Sequence, residues 1–84
     1  MNKVKLLWVD DEMESLKSQI IFLELKGYEV ESLSNGHDAI DFVKENFVDV
    51  VLLEESMPGI TGLETLQKIK EINPQIPIVL ITKN

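Results

Sequence analysis

The sequence predicts a doubly wound α/β fold on a parallel sheet, and three observations carry that expectation. Short apolar runs rich in strand formers alternate with stretches of helical periodicity as βαβαβαβ. The connections are short, as right-handed crossovers between parallel strands require. The run Asp49 to Leu53 (DVVLL) shows no sustained polar alternation, the pattern of a central strand covered on both faces.

Taken in order, Val4 to Val9 (VKLLWV) is the first strand and ends abruptly in Asp10, Asp11 and Glu12. Met13, Leu16, Ile20 and Leu23 then recur at helical spacing, with Ile21, Phe22 and Leu25 widening the apolar face. Lys26 and Gly27 stop this helix, a cation in the last turn followed by a residue tolerant of positive φ. Tyr28 to Leu33 (YEVESL) alternates apolar and polar residues, as a strand near a sheet edge does. Ser34-Asn35-Gly36 turns the chain into a second helix from about His37 to Asn46, with Ala39, Ile40, Phe42 and Val43 facing inward. After the third strand and a Met57-Pro58-Gly59 turn, Thr61 and Glu64 form a capping box. Leu63, Leu66, Ile69 and Ile72 supply the inner face of the third helix. Pro74 closes it, and Ile76 to Ile81 is the fourth strand, followed by Thr82, Lys83 and Asn84.

The totals bound the function. Residues 1–84 make one small domain, and 44% apolar residues mark a globular chain rather than a disordered one. A formal charge of -7 disfavours nucleic acid, whose phosphates attract basic side chains, and suits a divalent cation or a basic partner surface. The absence of cysteine excludes disulfides, thiolate metal sites and thiol catalysis. No apolar run approaches the ~20 residues of a membrane helix or the pattern of a signal peptide, so the expectation is a cytoplasmic protein with no membrane partner.

In open parallel sheets the ligand site lies outside the carboxyl ends of the strands, where the strand order reverses. For the order 2-1-3-4 that point falls between the first and third strands, which end in Asp10-Asp11 and Glu54. Two like charges at ~4 Å repel by about 4 kcal/mol at an effective dielectric near 20, so such a cluster shifts its own titration or recruits a cation. Hard oxygen ligands suit Mg2+, which commonly retains water and phosphate oxygens in its shell. The competing reading is that Asp10, Asp11 and Glu12 only favour the positive end of the first helix, and that Glu54 is a strand-end charge turned to solvent.

Three stretches carry a resemblance to a known family: LLWVDDE at the end of strand one, VDVVLLEESMPGITGLE through strand three and the following turn, and IPIVLIT ending in Thr82. Together they resemble the receiver domains of two-component response regulators, over the whole chain. More loosely, LWVDDE, FLELKGYEV and GLETLQKIKEINPQIP resemble the receiver of PorX-type regulators. The resemblance implies a flavodoxin-like, three-layer fold and a Mg2+-dependent phosphoacceptor role in phosphorelay signalling. It implies Asp11 as a direct metal ligand, Asp10 acting more through water, and the backbone carbonyl of Ser56 as a further ligand. Glu54 matches the phosphoacceptor position and metal site, and Thr82 the switch hydroxyl that bonds the phosphoryl group. The implied partners are a sensor histidine kinase or phosphotransfer protein and a downstream output domain or effector.

Two departures stand out. The family's phosphoacceptor is aspartate, and Glu54 adds a methylene that displaces the attacking oxygen by roughly a bond length; a misplacement of ~1 Å can cost on the order of a hundredfold in rate. The same extension partly imitates the charge of an aspartyl phosphate. The sequence also lacks the family's last helix, strand and helix, and Lys83 is not the lysine carried by that strand. An open apolar edge follows, and with it the expectation of a longer regulator, a dimer or strand exchange.

Trp8 reads as a core residue, His37 as a solvated turn residue, and Glu64 with Lys68 as an exposed i, i+4 pair. The alternative to a working receiver is a pseudo-receiver, an interaction module without phosphoryl transfer. An enzyme is not expected: the acids after strand one read DDE rather than the D-x-D of dehalogenase-type phosphatases, no hydroxyl-rich phosphate loop stands there as in flavodoxins, and no Gly-rich nucleotide loop occurs.

Overall fold

The structure is a computed structural model that describes residues 3–82. Lys83 therefore lies outside the described residues. The elements run β1 (Lys5–Val9), a 3-10 turn (Met13–Leu16), α1 (Lys17–Leu25), β2 (Glu29–Leu33), α2 (Gly36–Glu45), β3 (Val50–Glu54), α3 (Gly62–Ile72) and β4 (Ile78–Ile81). All strand pairs are parallel, as the alternation of elements predicts, and the sheet order is β2-β1-β3-β4, the order expected for the flavodoxin-like fold.

Strand register sorts the side chains into two unequal faces. The pairs Leu7↔Val51, Val9↔Leu53 and Leu53↔Leu80 line one face, and α2 and α3 cover it with Ala39, Val43 and Ile69. This is the core: Leu7, Val9, Val51, Leu53, Ala39 and Ile69 are wholly buried. The other face carries Leu6, Trp8, Leu52 and Val79, and α1 meets it chiefly at β2. No residue of α1 is buried, and Phe22 and Val79 remain 58% and 50% exposed. The expectation that β3 is covered on both faces therefore needs correction, since Val51 and Leu53 are closed while Val50 and Leu52 are half-buried. Trp8 is likewise half-buried rather than core, over a groove with Ser18, Gln19, Phe22 and Leu23, and its Nε1 is buried without a hydrogen-bond acceptor.

Side-chain caps set the starts of α2 and α3. The Asn35 side chain accepts from the Asp38 N–H at 2.9 Å, so α2 starts one residue before the expected His37. The capping box of α3 is present in both directions: Thr61 Oγ1 accepts from the Glu64 N–H at 3.1 Å, and Glu64 Oε1 accepts from the Thr61 N–H at 2.9 Å. Glu64 thereby bonds within its own helix turn, and the expected pair with Lys68 does not form among the ion pairs of the described residues, Lys5–Glu29 and Lys17–Glu14. The first helix has no side-chain cap. The Ser15 N–H bonds the Glu12 carbonyl at 3.0 Å, an i to i+3 contact, so Met13–Leu16 winds as 3-10 before α1 begins. Gly27, at φ +100, ends that helix in the left-handed region as expected.

The inner face of α3 is rotated from the expected one. Gly62, Thr65 and Ile69 are buried, whereas Leu63 is 53% exposed and Ile72 lies at the surface. Thr65 can be buried because its hydroxyl donates to the Thr61 carbonyl at 2.8 Å. Glycines allow the close approach: a Cβ at Gly36 would collide with Thr65 Oγ1, which is where α2 and α3 meet.

Candidate acidic site at the sheet switch point

The pairing of β1 with β3 ends at Val9↔Leu53, so Asp10 and Glu54, the residues that follow, stand at adjacent strand tips. Both carboxylates are buried, at 2% and 1% exposure. Asp10 is held from two sides. Its N–H donates to the Leu33 carbonyl at 3.0 Å, and its Oδ1 accepts from the Glu12 N–H at 2.8 Å. That second bond is a local turn closed by an aspartate side chain, and it folds the chain so that Asp11 and Glu12 come back over the rim. One carboxylate oxygen from each of Asp10, Asp11 and Glu12 lies within 4.8 Å of the other two, with Asp11 and Glu12 exposed.

Glu54 is the last residue of β3 and pairs with Ile81 in register, and its Oε1 accepts from the Ser56 N–H at 3.3 Å. Asp10, Asp11 and Glu54 thus share one rim, but their carboxylates do not all come within the distance that unites Asp10, Asp11 and Glu12. Glu12, which sequence reasoning left out of the ligand set, joins the cluster; its adjacency to the acidic pair was the available signal. Ser56 is exposed on the loop after β3, and the next residue, Met57, is buried. Thr82 follows β4 directly and is exposed, beside the point where the Glu55 N–H donates to the Ile81 carbonyl at 2.8 Å. His37 is exposed in a groove between α2 and α3 with Asp41, Lys44 and Lys68, consistent with a solvated role.

Chemically, the rim offers only oxygen donors of hard character, two of its acids exposed enough to reorient toward a cation and one held rigidly. A family model described as the response regulator receiver domain matches residues 6–84. This chain belongs to that family.

The receiver is similar to a transcriptional regulatory protein, a CpxR homolog from Haemophilus influenzae, at 37% identity over 93% of this chain and 34% of the relative. The chain thus spans about a third of that relative's length. Among solved structures, a CheY-like receiver domain protein from Methanospirillum hungatei matches with a TM-score of 0.92 and 26% identity, over 99% of this chain and 66% of that one. The response regulator TrrA from Thermotoga maritima, solved in complex with Mg(2+)-BeF, matches with a TM-score of 0.86 and 33% identity, over 94% of this chain and 69% of its own. TrrA has also been solved in complex with the histidine kinase ThkA. The receiver accordingly has the CheY-like fold and belongs to two-component signalling; no helix among its described residues is long and apolar enough to cross a membrane.

Proposed function

We propose that this receiver binds Mg2+ at the acidic rim and presents Glu54 at the phosphoacceptor position, where it holds the domain close to its phosphorylated state rather than accepting phosphate efficiently. The observation that carries this reading is a carboxylate only 1% exposed at the tip of β3, next to the tip that bears Asp10. The donor chemistry of the rim, hard carboxylate and carbonyl oxygens, fits a hard cation. When bound, Mg2+ supplies charge neutralisation for the carboxylates and for an incoming phosphoryl group.

The chain's own residues take the remaining roles. Asp11 would hold the metal directly, Asp10 would act more through water, and the Ser56 carbonyl would complete the protein's share, with Glu12 close enough to Asp10 and Asp11 to assist. Thr82, exposed at the end of β4, is the hydroxyl that turns toward a phosphoryl group or toward the Glu54 carboxylate. The Ser56 N–H bond draws Glu54 Oε1 back over its own loop, which disfavours in-line attack by that oxygen. A sensor histidine kinase and an output domain or effector are the proposed partners, with no direct nucleic-acid contact, in the cytoplasm; the domain itself is no enzyme. The open apolar side of β4 and α1 leads us to include self-association among its properties.

The test compares the native chain with Glu54→Asp for Mg2+-dependent phosphoryl uptake from acetyl phosphate. Uptake rises by about a hundredfold in the aspartate variant if the added methylene is the obstacle. Equal uptake by both chains would overturn the reading of Glu54. Loss of all response to Mg2+ and beryllofluoride in both would favour the interaction module without phosphoryl transfer.

A further inference from the structure

We propose that Gly62 is a positioning residue for the acidic rim: it lets the first turn of α3 rest directly on the backbone of Glu54 and Glu55, and so sets how far the tip of β3 stands toward Asp10. The inference rests on the reading of the rim as a cation site. Gly62 is buried, and it is not among the glycines with positive φ, which are Gly27 and Gly59. Backbone conformation does not demand glycine here; space does. A Cβ at this position would collide with the Glu54 carbonyl oxygen and lie 2.8 Å from Glu55 Cα and 3.0 Å from the Glu54 carbonyl carbon.

All three atoms are backbone, so none can swing aside as the end of a side chain can. The segment they belong to is also tied on two sides. The Glu55 N–H donates to the Ile81 carbonyl at 2.8 Å, and the Gly62 N–H donates to the Glu55 carbonyl at 2.9 Å. A side chain at position 62 must therefore move either α3 or the Glu54–Ser56 segment. The helix is anchored by Thr65 and Ile69, both wholly buried, whereas the chain leaves the sheet after Glu54 and runs on through the exposed Glu55 and Ser56, so the end of β3 gives way by bending there. That displacement carries the Glu54 carboxylate and the Ser56 carbonyl away from Asp10 and Asp11.

Gly36 is the matched control. It is also buried, and a Cβ there would collide with Thr65 Oγ1 and lie 2.7 Å from Ile60 Cγ1, but these are side-chain atoms between α2 and α3 rather than rim backbone. Mg2+ affinity is measured by titration calorimetry on the full chain and on Gly62→Ala, Gly36→Ala and Thr61→Ala, together with the metal-free amide resonances. Gly62→Ala weakens Mg2+ binding by about tenfold to a hundredfold, as losses of supporting contacts around metal sites do, while Gly36→Ala stays within about twofold. Thr61→Ala loosens the first turn of α3 without adding an atom at position 62 and produces a smaller loss, which keeps the inference measurable if Gly62→Ala does not fold.

Unchanged affinity in Gly62→Ala, an equal loss in Gly36→Ala, or unchanged affinity in Thr61→Ala where Gly62→Ala is unfolded would overturn the inference. If the native chain itself ignores Mg2+, the cation reading fails, and the positioning role is judged from the metal-free amides. Displaced resonances at Glu54, Glu55 and Ser56 in Gly62→Ala but not in Gly36→Ala support it, and undisturbed resonances sink it.

Discussion

Glu64 shows how one side chain can be legible in sequence and still change role. Its spacing from Thr61 announces the capping box, and its spacing from Lys68 announces an ion pair; the two compete for one carboxylate, and the cap wins. The helix end offers unsatisfied N–H donors at fixed positions, whereas an exposed lysine must lose side-chain freedom to pair. The Thr61 backbone N–H, then its hydroxyl, hold the Glu64 carboxyl below the usual glutamate range. A lowered value means that the folded chain binds the proton less tightly than the unfolded one, so the stabilisation is complete above the ordinary glutamate value and fades as the pH falls through the lowered one. Thermal unfolding should show the native chain's advantage over Glu64→Gln shrinking steadily on acidification through that range. A pH-independent difference would contradict the assignment.

At the scale of elements, strands and helices are joined by contacts that periodicity does not announce. Asp49 lies just before β3, and its Oδ2 accepts from the Lys5 N–H at 2.7 Å while its own N–H donates to the Lys5 carbonyl at 2.8 Å, so one residue fastens the start of β3 to the start of β1. Lys70, near the end of α3, donates its ammonium to the Pro74 and Ile76 carbonyls and closes the turn into β4. Replacing Asp49 by Ala should cost about 1 kcal/mol in urea unfolding, the typical net worth of such a bond. Asp41→Ala, on the exposed side of α2, should stay within about 0.5 kcal/mol and serves as the comparison. Equal effects would mean that the Asp49 bond contributes nothing beyond the loss of a charge.

For the whole molecule, the two faces of the sheet are unequal. One is closed by α2 and α3 over wholly buried aliphatic residues; the other carries a half-buried Trp8, an exposed Val79 in register with it across Leu52, and an exposed Phe22 in the groove beside it. An open apolar surface of this kind favours association. Light scattering should therefore show the mean mass of this chain rising with concentration in the micromolar range, and Phe22→Ser should reduce that rise. A mass independent of concentration in both chains would show that the open face does not drive association under those conditions.

The sequence by itself determined the order of elements, the parallel sheet, and which residues, Asp10 and Glu54, follow the first and third strands, because hydrophobic period and strand-end chemistry are local properties; topology then sets those strand tips side by side. Only the tertiary structure decided which side of α3 turns inward, that Glu12 folds back into the acidic cluster, and that α1 covers its face so thinly. Those outcomes depend on how closely backbones approach. Leu63 reads as core until Gly62 and Gly36 are seen to let α3 settle on the end of β3 and against α2, which turns Thr65 inward in its place.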